Sequence, residues 1–281
     1  MKEYFFKKLP SEFNANKLAF GAASVIIILV LASAFAFLYP VNPNEINVSQ
    51  RLLTPSFVHP FGTDDMGRDY LARSLYGGRV SLLVGFLAMI LSTVIGIAVG
   101  TVSGYFGGII DAILMRIVDV LMSLPTFLIM VVMSAYLKSG VESVIIIIGL
   151  LTWMSIARIV RAETISVKER EFVIYSKVSG ERPLKIMLVH IIPIIMPTII
   201  VSATINIASA ILMESSLSFF GMGVRPPNAS WGSMLNNAQG YITEAPYLAI
   251  IPGLLIFLTV ISFNFSGDVL RGVFEPNTKA D

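Results

Sequence analysis

The chain has 281 residues, 55% of them hydrophobic and 14% charged, with a mean hydropathy of +0.79. A soluble domain carries about 25% charged residues, so this balance excludes an ordinary water-soluble globule and points to a protein dissolved in a bilayer. With no Cys and two His, disulfides and thiolate metal sites are excluded and a metal enzyme is a poor reading; a net charge of +2 gives no reason to expect nucleic acid.

Crossing a bilayer takes roughly 20 apolar residues, and the chain offers several such runs in order. Lys2, Lys7, Lys8 and Lys17 mark a basic segment, residues 1–17, and residues 18–39 then carry no charge. Ala34-Phe35-Ala36 matches a signal cleavage pattern. The apolar run continues through Phe37, Leu38 and Tyr39, however, and exceeds a signal core, which favours an uncleaved first transmembrane helix. Residues 40–79 form a polar interval containing HPFGTDDMGRDYLARSLYGGR, from His59 to Arg79. Asp64 or Asp65 suits the cap of a short helix, Asp69 and Arg73 stand at i,i+4, and Gly77-Gly78 set this element apart from a second span over 80–102. Gly96, Gly100 and Gly104 repeat the spacing that lets two helix backbones approach closely.

A glycine turn at Gly104, Gly107 and Gly108 leads to a third span over 112–137. Asp111, Arg116 and Asp119 anchor its start, with Arg116 and Asp119 at i,i+3, and Pro125 predicts a kink. A fourth span over 143–157 carries Trp153 as an interfacial anchor. The polar interval 158–190 follows, with seven Lys or Arg and four Glu. A fifth span covers 191–213, a polar stretch 214–246, a sixth span 247–267 and a tail 268–281. Glu214 reads as a cap or interface anchor, and Trp231 and Tyr241 as anchors at the outer surface. The fold class is therefore all-α: a polytopic membrane protein of about six transmembrane helices, with its core over 80–267.

Positive charge sets the orientation. With the N-terminus inside, the inner segments hold the four early lysines, Arg116, the seven of 158–190, Arg271 and Lys279, which makes fourteen. The outer segments hold Arg51, Arg68, Arg73, Arg79, Lys138 and Arg225. Both termini and 158–190 are thus expected in the cytoplasm, with 40–79 and 214–246 outside. The middle of each expected span lacks Asp, Glu, His, Lys and Arg, which argues against a proton-coupled carrier and against an intramembrane enzyme. No GxxxxGK followed by Ser or Thr occurs, so any ATP that drives this protein binds another chain.

From Glu163 to Ser179 there is no Gly or Pro, which predicts a helix continuing out of the fourth span. Gly180 suits the left-handed residue that ends a helix, and Pro183 the first turn of the next one. Leu184, Met187, Leu188 and Ile191 recur at helical spacing on that second piece. The predicted shape is helix, glycine corner, helix.

The segment EFVIYSKVSGERPLKIMLVHIIP resembles the cytoplasmic EAA loop of ABC importer permeases, with Gly180 at the family's glycine and Pro193 at its closing proline. The Glu-Ala-Ala triplet is absent: Ile174, Tyr175 and Ser176 stand there. HPFGTDDMGRD, DAILMRIVDVLMSLP, ARIVRAETISVKEREFV, ESSLSFFGMGVRPPNASWGSML and PGLLIFLTVISFNFSGDVLRGVFEP resemble the second permease subunit of dipeptide, oligopeptide and nickel importers, in the same order from His59 to Pro276. The resemblance implies a type I importer permease fold in a prokaryotic cytoplasmic membrane. It implies a sister permease, expected to be non-identical, two ATPase subunits and an external substrate-binding protein. ATP and magnesium are held by the ATPases, and this chain has no catalytic residue, metal or cofactor of its own.

It also implies that Glu171–Leu188 couples to the ATPases. Gly180 makes the bend, Phe172 and Tyr175 are apolar anchors, and Arg170, Glu171, Ser176, Lys177, Arg182, Pro183 and Leu184 complete the element. Arg170, Lys177 and Arg182 serve equally well as topology charges. Asp64, Asp65, Arg68 and Asp69 either meet the binding protein or fold their loop on itself. The cargo implied is a peptide or a nickel chelate. The competing reading is an ATP-independent secondary carrier or channel.

Overall fold

A computed structural model describes residues 17–138 and 140–274. Lys2, Lys7 and Lys8 of the basic segment and Glu275, Pro276 and Lys279 of the tail lie outside these residues. Among the described residues there are nine α-helices: α1 (Lys17–Ala34), α2 (Tyr70–Phe106), α3 (Gly108–Ser123), α4 (Thr126–Tyr136), α5 (Val141–Lys168), α6 (Glu171–Val178), α7 (Pro183–Phe219), α8 (Trp231–Ala238) and α9 (Tyr247–Phe274). Among the described residues there is no strand, only one isolated bridge between Thr63 and Asp69. Helices α1, α2, α5, α7 and α9 are each long and apolar enough to span a bilayer.

α1 ends at Ala34, short of the expected Tyr39, and gives way to a 3-10 turn over Ala36–Leu38, whereas α2 outruns its apolar run for a local reason. The Asp69 carboxylate accepts the Ala72 amide at 2.8 Å and starts α2 at Tyr70, inside the interval expected to be a loop. Gly77 and Gly78 do not separate two elements; they lie within α2. A Cβ on Gly78 would sit 2.7 Å from Trp231 Cζ2 and 2.5 Å from Ser33 Oγ, and one on Gly77 would sit 3.3 Å from Met234 Sδ, so these glycines make room for α8 and its approach rather than for a turn.

The third span is likewise not one helix. Leu124 and Pro125 are extended, and α3 and α4 meet at 86°. Proline supplies no N–H and pushes the residue before it out of the helical region. The result is helices of 16 and 11 residues, each shorter than a bilayer crossing.

The helix expected to run from the fourth span through Ser179 is broken as well. α5 stops at Lys168, Arg170 is extended (ψ 145°), and α6 begins at Glu171. α7 contains a π-helical turn, Ile186–Ile191, just before Pro193 withholds its N–H from the ladder.

The packing centres on α2 and α5, the pair in most extensive contact. Gly96, Gly100 and Gly104 face α5 along one line. Cβ atoms there would fall 2.7 Å from Ile156 Cβ, 2.5 Å from the Ala157 carbonyl oxygen and 2.7 Å from Thr164 Cβ. Gly149 of α5 returns the arrangement by receiving Leu91 of α2, and Gly85 receives Ile211 of α7. Three apolar clusters lie around this seam. One joins Val84 and Ala88 to Met130, Ile147 and Leu217; a second joins Ile156 and Val160 to Val173, Ile186 and Ile195; a third gathers Tyr70, Trp231, Met234 and Leu248.

Replacing Gly100 by Val should destabilise the detergent-solubilised protein by about 1–3 kcal/mol, the usual cost of overpacking. Gly272→Ala, at a glycine with nothing within 4 Å, should leave the thermal midpoint within a degree or two. Scanning both variants by intrinsic fluorescence checks this, and equal midpoints would remove the seam's special role.

Candidate functional site

The corner between α6 and α7 is built from its backbone outward. Ser179 ends α6, and Gly180 takes φ +78°. Its amide donates to the Lys177 carbonyl and the Glu181 amide donates to the Ser176 carbonyl, both at 3.1 Å. These are the paired bonds by which a left-handed glycine closes a helix. Arg182 is extended, as a residue before proline must be, and Pro183 opens α7.

One residue holds α6 to the body. Val173 is 2% exposed and packs with Ile186, Met187 and Val167. The rest of the helix faces outward: Phe172 and Ile174 are exposed, Tyr175 is 70% and Val178 82% exposed, and Leu184 continues the patch across the corner. Arg170, Glu171, Lys177, Arg182 and Pro183 are exposed around it, with Ser176 partly so. Four charged side chains in that ring keep the corner out of hydrocarbon. Its apolar surface is therefore unpartnered in water, the mark of a protein contact.

Glu181 braces the corner from within. Lys185 Nζ donates to its Oε1 at 2.5 Å, and His190 Nε2 lies 2.9 Å from its Oε2. The Lys185 bond first, and the His190 bond second, hold the Glu181 carboxyl below its ordinary pKa. On the same side of the molecule, Arg161 donates to both oxygens of Asp111, at 2.5 and 2.6 Å, and Arg158 donates to Asp119. The Arg116–Asp119 pair expected from spacing is not made, because both acids of α3 turn to α5 instead.

At the opposite end, Asp64, Arg68 and Asp69 are buried and spend their bonds on their own loop. Asp64 accepts from the amides of Met66 and Arg68 and from the Arg68 guanidinium at 2.7 Å, while Arg73 approaches at 3.4 Å. Asp69 caps α2 and lies 2.9 Å from His59 Nδ1 rather than pairing with Arg73. Only Asp65 of the four keeps partial exposure for an outside partner.

Sequence reasoning missed a polar hub. Glu214 lies inside α7 and is fully buried, not at an interface. Its carboxylate accepts from Ser81 of α2 at 2.9 Å and from Ser218 at 2.7 Å. Each serine oxygen in turn accepts a backbone N–H: Ser81 from Trp231 and Ser218 from Val224. Trp231 is 1% exposed, and its indole N–H donates to the Ser74 carbonyl, so it is a core anchor and not an outer belt residue. Tyr241 lies against Arg51, whose guanidinium sits over the ring. The i,i+4 spacing of Glu214 and Ser218 in ESSLS was the available signal.

Residues 92–280 match the model of the family described as binding-protein-dependent transport system inner membrane component. The chain belongs to this family. It is 37% identical over 276 residues to the dipeptide transport system permease protein DppC of Alkalihalophilus pseudofirmus, covering 98% of this chain and 90% of that protein. It is 35% identical over 274 residues to DppC of Haemophilus influenzae (95% and 93%). With the oligopeptide transport system permease protein OppC of Bacillus subtilis the identity is 34% over 268 residues (95% and 88%). Among solved structures, an inward-facing form of the MetNI methionine ABC transporter matches with a TM-score of 0.60 at 21% identity, over 72% of this chain and 96% of that one. The type I importer permease fold is thus shared, and the protein is a multi-pass membrane transport subunit with the apolar corner at one end of its bundle.

Two outcomes follow for this permease. Glu214→Ala leaves two buried serine hydroxyls without their acceptor and should cost about 1–3 kcal/mol, read as a lower thermal midpoint. Glu214→Gln, which keeps an acceptor oxygen, should lose less. At the corner, the folded-state pKa of Glu181 is depressed, so its stabilising contribution is present above the ordinary carboxylate pKa and is lost as pH falls through the folded value. Amide exchange across residues 176–190 should therefore accelerate in acid only below the ordinary carboxylate range. Glu181→Gln should abolish that step; a step that persists in the variant assigns it to another group.

Proposed function

We propose that this protein is the membrane-spanning subunit of an ATP-driven importer and forms half of the path for di- or oligopeptides. The observation that carries the reading is the α6–Gly180–α7 corner. It presents Phe172, Ile174, Tyr175 and Val178 in a ring of charge, on a helix fixed to the body through Val173. A small rigid projection of this kind suits insertion into a cleft of another protein.

On this reading the corner docks on one of two ATPase subunits, which hold ATP and magnesium, and this chain performs no catalysis. A second, non-identical permease completes the path, and an external binding protein delivers cargo at the end that carries Asp65. The charge distribution supports a cytoplasmic position for segments 1–17, 158–190 and 268–281 in the cytoplasmic membrane of a prokaryote, with 40–79 and 214–246 outside. The peptide assignment is supported by the dipeptide and oligopeptide systems named for its relatives.

In mechanism, ATP binding stabilises one arrangement of the ATPase pair over the other, and a corner held by that pair biases the permease toward the matching state. α6 meets α5 at the Glu169–Arg170 break and α7 at Gly180, so displacement of the corner is delivered to two spanning helices at once. The departure from the usual triplet places Ile174 and Tyr175 at the contact, which makes the interface more apolar than a Glu-Ala-Ala sequence would.

The test uses the assembled importer in vesicles. Tyr175→Asp with Val178→Asp should abolish copurification of the ATPases while the permease still inserts. Gly180→Val, strained at φ +78° yet free of any neighbour within 4 Å, should retain ATP hydrolysis and lose most peptide uptake. Fully coupled uptake in both variants, or ion-driven uptake by this chain alone, sinks the proposal.

A further inference from the structure

The bundle contains a cleft whose polar groups the fold itself leaves unused. About 290 Å³ in volume, it opens between α4, α5, α7 and the last turn of α9. Thr126, Ser155, Ser202 and Asn206 line it, and Arg271 is the one charged residue there.

Many hydroxyls within the spanning helices satisfy themselves. Thr152 donates to the Ile148 carbonyl, Thr204 to Ile200, Ser216 to Leu212 and Thr259 to Leu255. That back-bond is how a hydroxyl tolerates hydrocarbon. Thr126, Ser155 and Ser202 make no such bond among the described residues. Asn206 adds a sharper case. Its Nδ2 donates to Ser92 Oγ of α2 at 3.2 Å, which fixes the carboxamide. Its Oδ1 is left buried with no donor in the structure, although the residue is only 9% exposed. The buried hydroxyls of Thr93, Thr101, Thr164 and Ser266 also lack a partner, but of these residues Asn206 alone lines the cleft, where a bound molecule can bring the missing donor.

The composition of the lining narrows what that is. Hydroxyls both donate and accept, and a carboxamide oxygen accepts. There is no carboxylate, and the charge in the lining is the positive one of Arg271, which disfavours a cation beside it. The apolar part of the wall includes Met122, Met154 and Met213, flexible side chains that adapt to varied shapes. Arg271 supplies a fork suited to a carboxylate. The partner that fits is a short chain of amides ending in a carboxylate, recognised through its backbone and indifferent to its side chains.

We infer that this cleft is the subunit's share of the solute path and binds a peptide's main chain, with Asn206 Oδ1 accepting a peptide N–H and Arg271 meeting the terminal carboxylate. The ligand class rests on the peptide-import reading above; the location of the path rests on the cleft alone.

The chain has no cysteine, so single cysteines report cleanly. In vesicles holding the assembled importer, Ser155→Cys and Ser202→Cys should react with a charged methanethiosulfonate, and dialanine should slow both reactions. Thr259→Cys, at a position 1% exposed and outside the cleft, should stay unreactive. No labelling at 155 and 202 overturns the path assignment whatever the vesicles transport. Labelling that dialanine leaves unchanged, in vesicles that take dialanine up, overturns the binding role. Vesicles that take up no peptide overturn the cargo reading and the ligand class with it, while labelling still decides where the path lies.

Arg271→Gln gives an independent reading. The variant should raise the half-saturating concentration of dialanine about three- to tenfold, the scale of one lost hydrogen bond. It should have little effect on the amidated dipeptide. An equal change for both peptides removes Arg271 from carboxylate recognition.

Discussion

The contact on which this subunit depends is the approach of two helix backbones, α2 and α5, over Gly96, Gly100 and Gly104. In a bilayer the solvent is as apolar as the side chains, so burial alone does not drive helices together. Close packing does, and three absent side chains allow Ile156, Ala157 and Thr164 to lie against the backbone of α2. The other elements attach to this pair. α3 is strapped to α5 by the Asp111–Arg161 and Asp119–Arg158 pairs, α7 packs on α2 at Gly85, and α6 continues α5 after a two-residue break.

That arrangement gives the corner a firm base and a free face. Val173 is tied into the cluster that contains Val160 of α5 and Ile195 of α7, while its neighbours on α6 stay uncovered. A projection of eight residues has no stability of its own; the closed glycine turn, the proline that follows and the Glu181 bonds to Lys185 and His190 hold its direction. The apolar face at Ile174 and Tyr175 is accommodated because those positions point away from the body.

The far end is organised by a different kind of bond. Glu214, Ser81, Ser218 and the amides of Trp231 and Val224 form one connected network joining α2, α7 and the segment leading into α8. Every donor in it has its acceptor, which is the condition for a buried polar cluster to specify structure instead of weakening it. The loop before α2 is pinned separately, with Asp64, Arg68 and Asp69 turned inward, so its charges define a shape more than a surface. Between the two ends, several buried polar atoms lack a partner among the described residues, and of these Asn206 Oδ1 belongs to a residue that lines the cleft.

What the sequence determined by itself was local. Gly180 and Pro183 could be read as a corner because left-handed φ and a missing N–H are properties of single residues, and the small-residue spacing in α2 declared a packing face without naming its partner. Hydropathy gave the membrane class and most of the spans, since transfer free energy is summed residue by residue. Only the tertiary structure decided where helices stop and which polar groups meet. Gly77 and Gly78 read as a separator and proved to be the seat of Met234 and Trp231. Pro125 read as a kink and proved to divide a span at 86°. Asp119 looked toward Arg116 and found Arg158. In each case the deciding neighbour is distant in the chain, and no periodicity within one helix carries the position of a side chain on another.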